Sequence, residues 1–194
     1  MGSLAPSIKS NTPTGQSADI SVQSYAGLSG RAYASNVMCA KIDLVSCALA
    51  WTDNGASGGY TSLKIIDFPE GKINILGATA NFTNITLGAG LGASSTTFVL
   101  SAGTSPEATG TTLDGAMVNV IPSTAVSITA SVGTSFASST AALTTSVTDG
   151  HTTPIDLYLN FAADATDSTA SKTAAEAGLT LTGTVYVWYI NMGD

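Results

Sequence analysis

Residues 179–194 read LTLTGTVYVWYINMGD. Leu179, Leu181, Val185 and Val187 alternate with Thr180, Thr182 and Thr184, the period-two pattern of a β-strand with one dry face and one wet one. Toward the end of the stretch the positions in phase with the threonines become Tyr186, Trp188 and Ile190. Aromatic side chains are large apolar surfaces, and a contiguous set of them on a solvent-side face marks an association site. The strand is therefore expected to be covered at this end. The cover is either the chain's own loops (residues 1–24 or 133–154) or a second subunit or larger surface. The expectation adopted is a subunit interface, with Tyr186, Trp188 and Ile190 as its candidate residues and Trp188 near its centre.

The same period recurs upstream. IDLYLNFA (155–162) sets Ile155, Leu157, Leu159 and Phe161 inward and Asp156, Tyr158 and Asn160 outward. IDLVSCALAW (42–51) is apolar on both faces apart from Asp43 and Ser46, and TSLKIIDF (61–68) is a strand stopped by Pro69. In KINILGATANFTNITL (72–87) the apolar face changes twice. Ile73 and Ile75 share one side, Leu76, Ala78, Ala80 and Phe82 take the other, and Ile85 and Leu87 switch back. Because a one-residue slip exchanges the faces, this strand requires bulges, the first of them near Gly77. TTFVL (96–100), MVNVI (117–121) and AVSITASV (125–132) add shorter strands, while 133–154 reads as a loop or a weak edge segment. Turn chemistry separates the strands, most plainly in DNGASGGY (53–60). Helix signals are nearly absent: Thr173 and Glu176 have capping-box spacing, but Gly178 ends the segment after one turn. The expectation is an all-β, two-layer antiparallel β-sandwich of jelly-roll or Greek-key type, over residues 39–194 as a single domain. Residues 1–38, polar and punctuated by Pro6, Pro13, Gly27 and Gly30, read as an extended N-terminal arm and loop.

Composition narrows the function. In a chain of 194 residues with 44% hydrophobic residues, only 10% are charged. An ordinary soluble domain carries roughly 25%. The deficit is filled by Ser, Thr, Ala and Gly, a composition that suits an assembly subunit. The net charge is −7, and Lys9, Arg31, Lys41, Lys64, Lys72 and Lys172 are too scattered to form the basic stripe that phosphate neutralisation needs. No nucleic-acid partner is expected. No run of about 20 apolar residues suggests a membrane span, and the N-terminus has no apolar core of a secretory signal.

The chemistry-bearing residues are sparse. His151, in DGHTTP, is the single histidine, and no G-x-S-x-G elbow presents a nucleophile for it to activate. One His and two Cys do not make a zinc site. Asp149, Asp164 and Asp167 do not match the calcium-loop pattern, so they read as solvated turn carboxylates. LGAGLGASS (87–95) lacks the lysine of a phosphate-binding loop. Asn81-Phe-Thr83 and Asn84-Ile-Thr86 fit the glycosylation triplet, which a Thr-rich chain makes by chance. Among Glu70, Glu107, Glu176 and the aspartates no pair is selected for acid–base work. No catalytic, cofactor-binding or metal-binding residue is therefore assigned, and an enzyme is not expected. Cys39 and Cys47 lie eight apart. That is roughly 26 Å of extended chain, against the roughly 4.4–6.8 Å between Cα atoms that a disulfide needs. Only a hairpin would join them, and two reduced, buried thiols are expected.

Three blocks carry a resemblance. VLSAGTSPEATGTTLDGAMVNVIPST, then TPIDLYLNFAADATD, then LTGTVYVWYINMGD, in that order, resemble the capsid decoration (cement) proteins of tailed bacteriophages over roughly residues 40–194. Residues 1–38 carry no matching block. The resemblance implies a virion protein made in the host bacterial cytoplasm that sits on the outside of the capsid. There it bridges major capsid proteins as a homotrimer, with no cofactor, nucleic acid or membrane. The rival expectation is a virion-borne or fibre-associated sandwich that binds host surface glycans, which aromatic residues exposed near loop tips, such as Trp51 and Tyr60, would mark. A carbohydrate-active sandwich would instead need a carboxylate pair facing a groove.

Overall fold

The computed structural model describes residues 28–33, 37–53, 59–88, 96–107, 112–128, 131–137, 147–150, 155–163 and 178–192. Expectations for residues 1–24, His151, Asp164, Asp167, the glycine-rich stretch 89–95 and the segment 173–176 fall outside them. The described strands are β1 (Leu28–Tyr33), β2 (Met38–Ala50), β3 (Thr52–Asp53), β4 (Gly59–Asp67), β5 (Lys72–Leu87), β6 (Thr96–Gly103), β7 (Ile121–Ile128), β8 (Ser131–Ala137), β9 (Val147–Asp149), β10 (Asp156–Ala163) and β11 (Gly178–Asn191). They form two antiparallel sheets packed as a sandwich. The six-stranded sheet runs β1-β2-β11-β5-β8, with β9 also paired to β5, and the five-stranded sheet runs β3-β4-β10-β6-β7.

Three expectations of local structure change. Residues 28–33, read as loop, are a strand that pairs with β2, Leu28 opposite Leu44 and Tyr33 opposite Cys39. MVNVI is not a strand until its last residue: Gly115–Met117 form a 3-10 turn, and regular pairing begins at Ile121. AVSITASV, read as one strand, is two. Its first part ends β7, paired with β6 in one sheet, and its last part opens β8, paired with β5 in the other. The apolar alternation Val126, Ile128, Ala130, Val132 runs through the sequence without a break, so the period alone does not reveal the change of sheet.

The face changes read in the sequence are β-bulges that flank the unbroken strand β11. Trp188 pairs with Gly77 and Tyr189 with Ile75, leaving Leu76 as an extra residue beside the expected Gly77. Thr182 pairs with Asn84 and Gly183 with Phe82, leaving Thr83 as a second extra. On the other side Leu181 pairs with Cys47 and Gly183 with Leu44, so β2 is bulged at Val45 and Ser46. Ser46 takes the left-handed conformation, at φ 49°, and its backbone N–H donates to Thr182 Oγ1 at 3.2 Å. Each bulge shifts the phase of burial. Ala40, Ile42 and Leu44 are buried before the β2 bulge, and Cys47 and Leu49 after it. Gly183, between the bulges, must be glycine: a Cβ there would stand 2.3 Å from the Asn81 carbonyl oxygen, a backbone atom that a rotamer change cannot move.

Aromatic pairs tie the layers together edge to face. Phe82 meets Phe161 at 6.4 Å between centroids, Phe68 meets Tyr189 at 4.9 Å, and Trp51 meets Phe98 at 5.5 Å. Each large side chain removed from water contributes about 1.5–3 kcal/mol. Trp51 is among the most deeply buried residues and lies against Gly59, where a Cβ would collide with the indole. Trp51 is thus not the exposed loop-tip aromatic residue that would have favoured glycan binding, because the residue after β2 turns into the core.

Candidate interaction surface

On β11 the inward residues are Leu179, Leu181, Val185, Val187 and Tyr189, all buried. Alternation is unbroken along this strand, so Tyr186, Trp188 and Ile190 share the outer face of the six-stranded sheet with Thr180, Thr182 and Thr184. All six are half-buried. The rings of Tyr186 and Trp188 stack at 5.9 Å between centroids and 16° between planes.

Register supplies their neighbours. Trp188 stands opposite Cys39 on β2 and Gly77 on β5, and Tyr186 opposite Lys41 and Thr79. A methyl group at Gly77 would meet no atom within 4 Å, so the β5 side of the indole is open. Next along, Ile190 is opposite Asn74, beside the bulged Leu76. Three of the exposed large hydrophobic residues lie at this same end: Val37 before β2, Leu76 on its bulge, and Met192, whose N–H donates to the Lys72 carbonyl at 2.8 Å. The predicted interface residues are thus the middle of a larger apolar end of the face. Val37, Leu76 and Met192 escape a reading of the closing strand alone, because only strand register brings them alongside.

Toward the middle of the sheet the face turns polar. Lys41 Nζ donates to Asp43 Oδ2 at 2.8 Å, and Thr184 Oγ1 donates to Asp43 Oδ1 at 2.9 Å. Cys39, opposite Trp188, is a half-buried free thiol, whereas Cys47 is a fully buried one. Both lie on one strand, and the bulge between them sends one outward and the other inward. Burial raises the pKa of each, favouring the neutral thiol.

The five-stranded sheet treats its outer face differently. Asn160 points away from the sandwich core, as its phase predicts, yet it is completely buried beneath Ser105, Glu107 and Met117. Its Nδ2 donates to the carbonyls of Ser105 (3.0 Å) and Met117 (3.1 Å). Its Oδ1 accepts from Ser62 Oγ (2.7 Å) and from the Glu107 N–H (3.0 Å). Ser101 Oγ adds a bond to Met117 O at 2.8 Å, and Asn119 closes the loop through Thr104. The loop lies close enough that a Cβ at Gly103 would come within 2.1 Å of the Ala116 carbonyl. The alternation in IDLYLNFA places Asn160 outward but carries no sign of its cover. The available signal is the set of small partners around it, Ser62 and Ser101 opposite and Gly103 at the next outward position, which becomes legible only once the pairing is known.

Farther along this face Asp67 and Asp156 stand opposite one another. Lys64 bridges them, in contact with Asp67 and 3.1 Å from Asp156, and Tyr158 Oη donates to Asp156 at 2.8 Å. The hydrogen bond to Asp67 leads the causes that raise the Lys64 pKa. Burial, then the bond to Asp156, raises that of Tyr158. The two carboxylates are held by a lysine in a cross-strand ion cluster, which uses them for attraction between strands. Among the described residues no group of three or more His, Cys, Asp and Glu is placed to hold a metal ion. No helix in them is long and apolar enough to cross a membrane. No protein-family model matches the chain, and no curated protein matches it.

Proposed function

We propose that this chain is a capsid decoration protein, a structural virion component that binds the outer surface of an assembled phage head and braces contacts between major capsid proteins. The observation that carries the reading is the apolar end of the outer face around Tyr186, Trp188 and Ile190, extended by Val37, Leu76 and Met192. Large apolar residues gathered on one sheet face suit protein docking, and aromatic anchors of this kind dominate binding energies. The sequence blocks that resemble decoration proteins, the low charge and the hydroxyl-rich composition support the same reading.

Strand order supports a jelly-roll description. β2-β11-β5-β8 in one sheet face β4-β10-β6-β7 in the other, with successive strands alternating between layers through much of the chain. Jelly rolls occur in viral capsid domains and also in lectins, so the architecture alone selects neither function. The glycan-binding reading loses one of its two markers, since Trp51 is core.

The mechanism is multivalent adhesion. A homotrimer closed through the Trp188 faces presents three equivalent copies of the remaining surface to the capsid, and after the first contact each further one forms at a high effective concentration, so weak individual contacts sum to tight attachment. A protein that binds the assembled lattice in preference to its separate components stabilises that lattice by linkage. Electron microscopy of purified virions tests this directly. The expected outcome is trimeric density on the head exterior into which the sandwich fits, with the Trp188 face turned toward a neighbour. Density at a tail fibre, or none on the head, overturns the reading.

A further inference from the structure

No further inference is drawn: the strongest candidate, the apolar end of the outer face of the six-stranded sheet around Trp188, belongs to the site already described, and nothing in the structure shows what covers it.

Discussion

The two outer faces of the sandwich solve the same problem in opposite ways. On the five-stranded sheet the central outward residue, Asn160, is buried under a loop whose backbone groups meet its amide at both ends. On the six-stranded sheet the outward residues near the end of β11 are aromatic and aliphatic, and remain half-buried. A polar residue under a loop is specific, because leaving its partners unsatisfied is costly. An aromatic residue at a surface is adaptable, because any apolar surface of the right shape covers it. The first face is finished within the chain, and the second is the one we assign to a partner.

The largest effect should come from breaking the finished face. Asn160→Leu removes the donor to the Ser105 carbonyl, one of the two donors to the Met117 carbonyl, and an acceptor for both Ser62 Oγ and the Glu107 N–H. Four hydrogen bonds are lost, each contributing about 0.5–1.5 kcal/mol net, so a total loss of about 3 kcal/mol or more is expected in urea unfolding. A loss below about 1 kcal/mol would mean that the loop contributes little and that the two faces are alike.

Next in size is the unfinished face. Trp188→Ala should weaken the assembled oligomer by about 2 kcal/mol or more, seen as dissociation in sedimentation, while the monomer still unfolds cooperatively. If the substitution unfolds the monomer instead, this face is core and the contrast collapses. Thr180→Ala, on the same face but at its hydroxyl end, is the control and should change either quantity by less than about 0.5 kcal/mol.

The contrast recurs between neighbours on one strand. Tyr189, next to Trp188 but inward, is wholly buried, with no hydrogen-bond partner for its hydroxyl among the described residues. Burial pushes its phenol far above the ordinary tyrosine range. The unfolded chain therefore loses this proton near pH 10 while the folded protein keeps it, so stability falls as pH rises above about 10. Tyr158, also raised, acts in the same sense. The raised Lys64 adds to it, since its contribution is complete below the unfolded lysine value of about 10.4 and is lost as pH climbs through the folded one. Tyr189→Phe should be neutral or stabilising by up to about 1 kcal/mol at pH 7, and should flatten the fall between pH 10 and 11. A destabilisation of more than about 1 kcal/mol at pH 7 would show that the hydroxyl has a partner after all.

Much of the six-stranded sheet was legible from residues alone. The change of face after Ile75 announces a bulge near Gly77, though the extra residue is Leu76, which is exposed and not on the face of Ala78, and the phase of β11 places Tyr186, Trp188 and Ile190 on one face. What failed to read were features set by distant chain. MVNVI is apolar because Val120 and Ile121 are buried against the core, not because its first four residues form a strand. The polar end of β10 gave no hint of its cover, since alternation reports direction and not what lies above. β1 looks like loop in the sequence because Ser29 and Gly30 disguise a strand that is anchored through backbone pairing with β2.

The chain's two tryptophans are divided between these regions, Trp51 in the core and Trp188 on the outer face. Indole emission moves to longer wavelength as water reaches the ring, so the two residues form a built-in pair of optical reporters. Trp51 should emit in the blue and change only when the sandwich unfolds. Trp188 should emit farther to the red and shift blue when its face is covered, so subunit association and folding can be followed separately in one unlabelled sample.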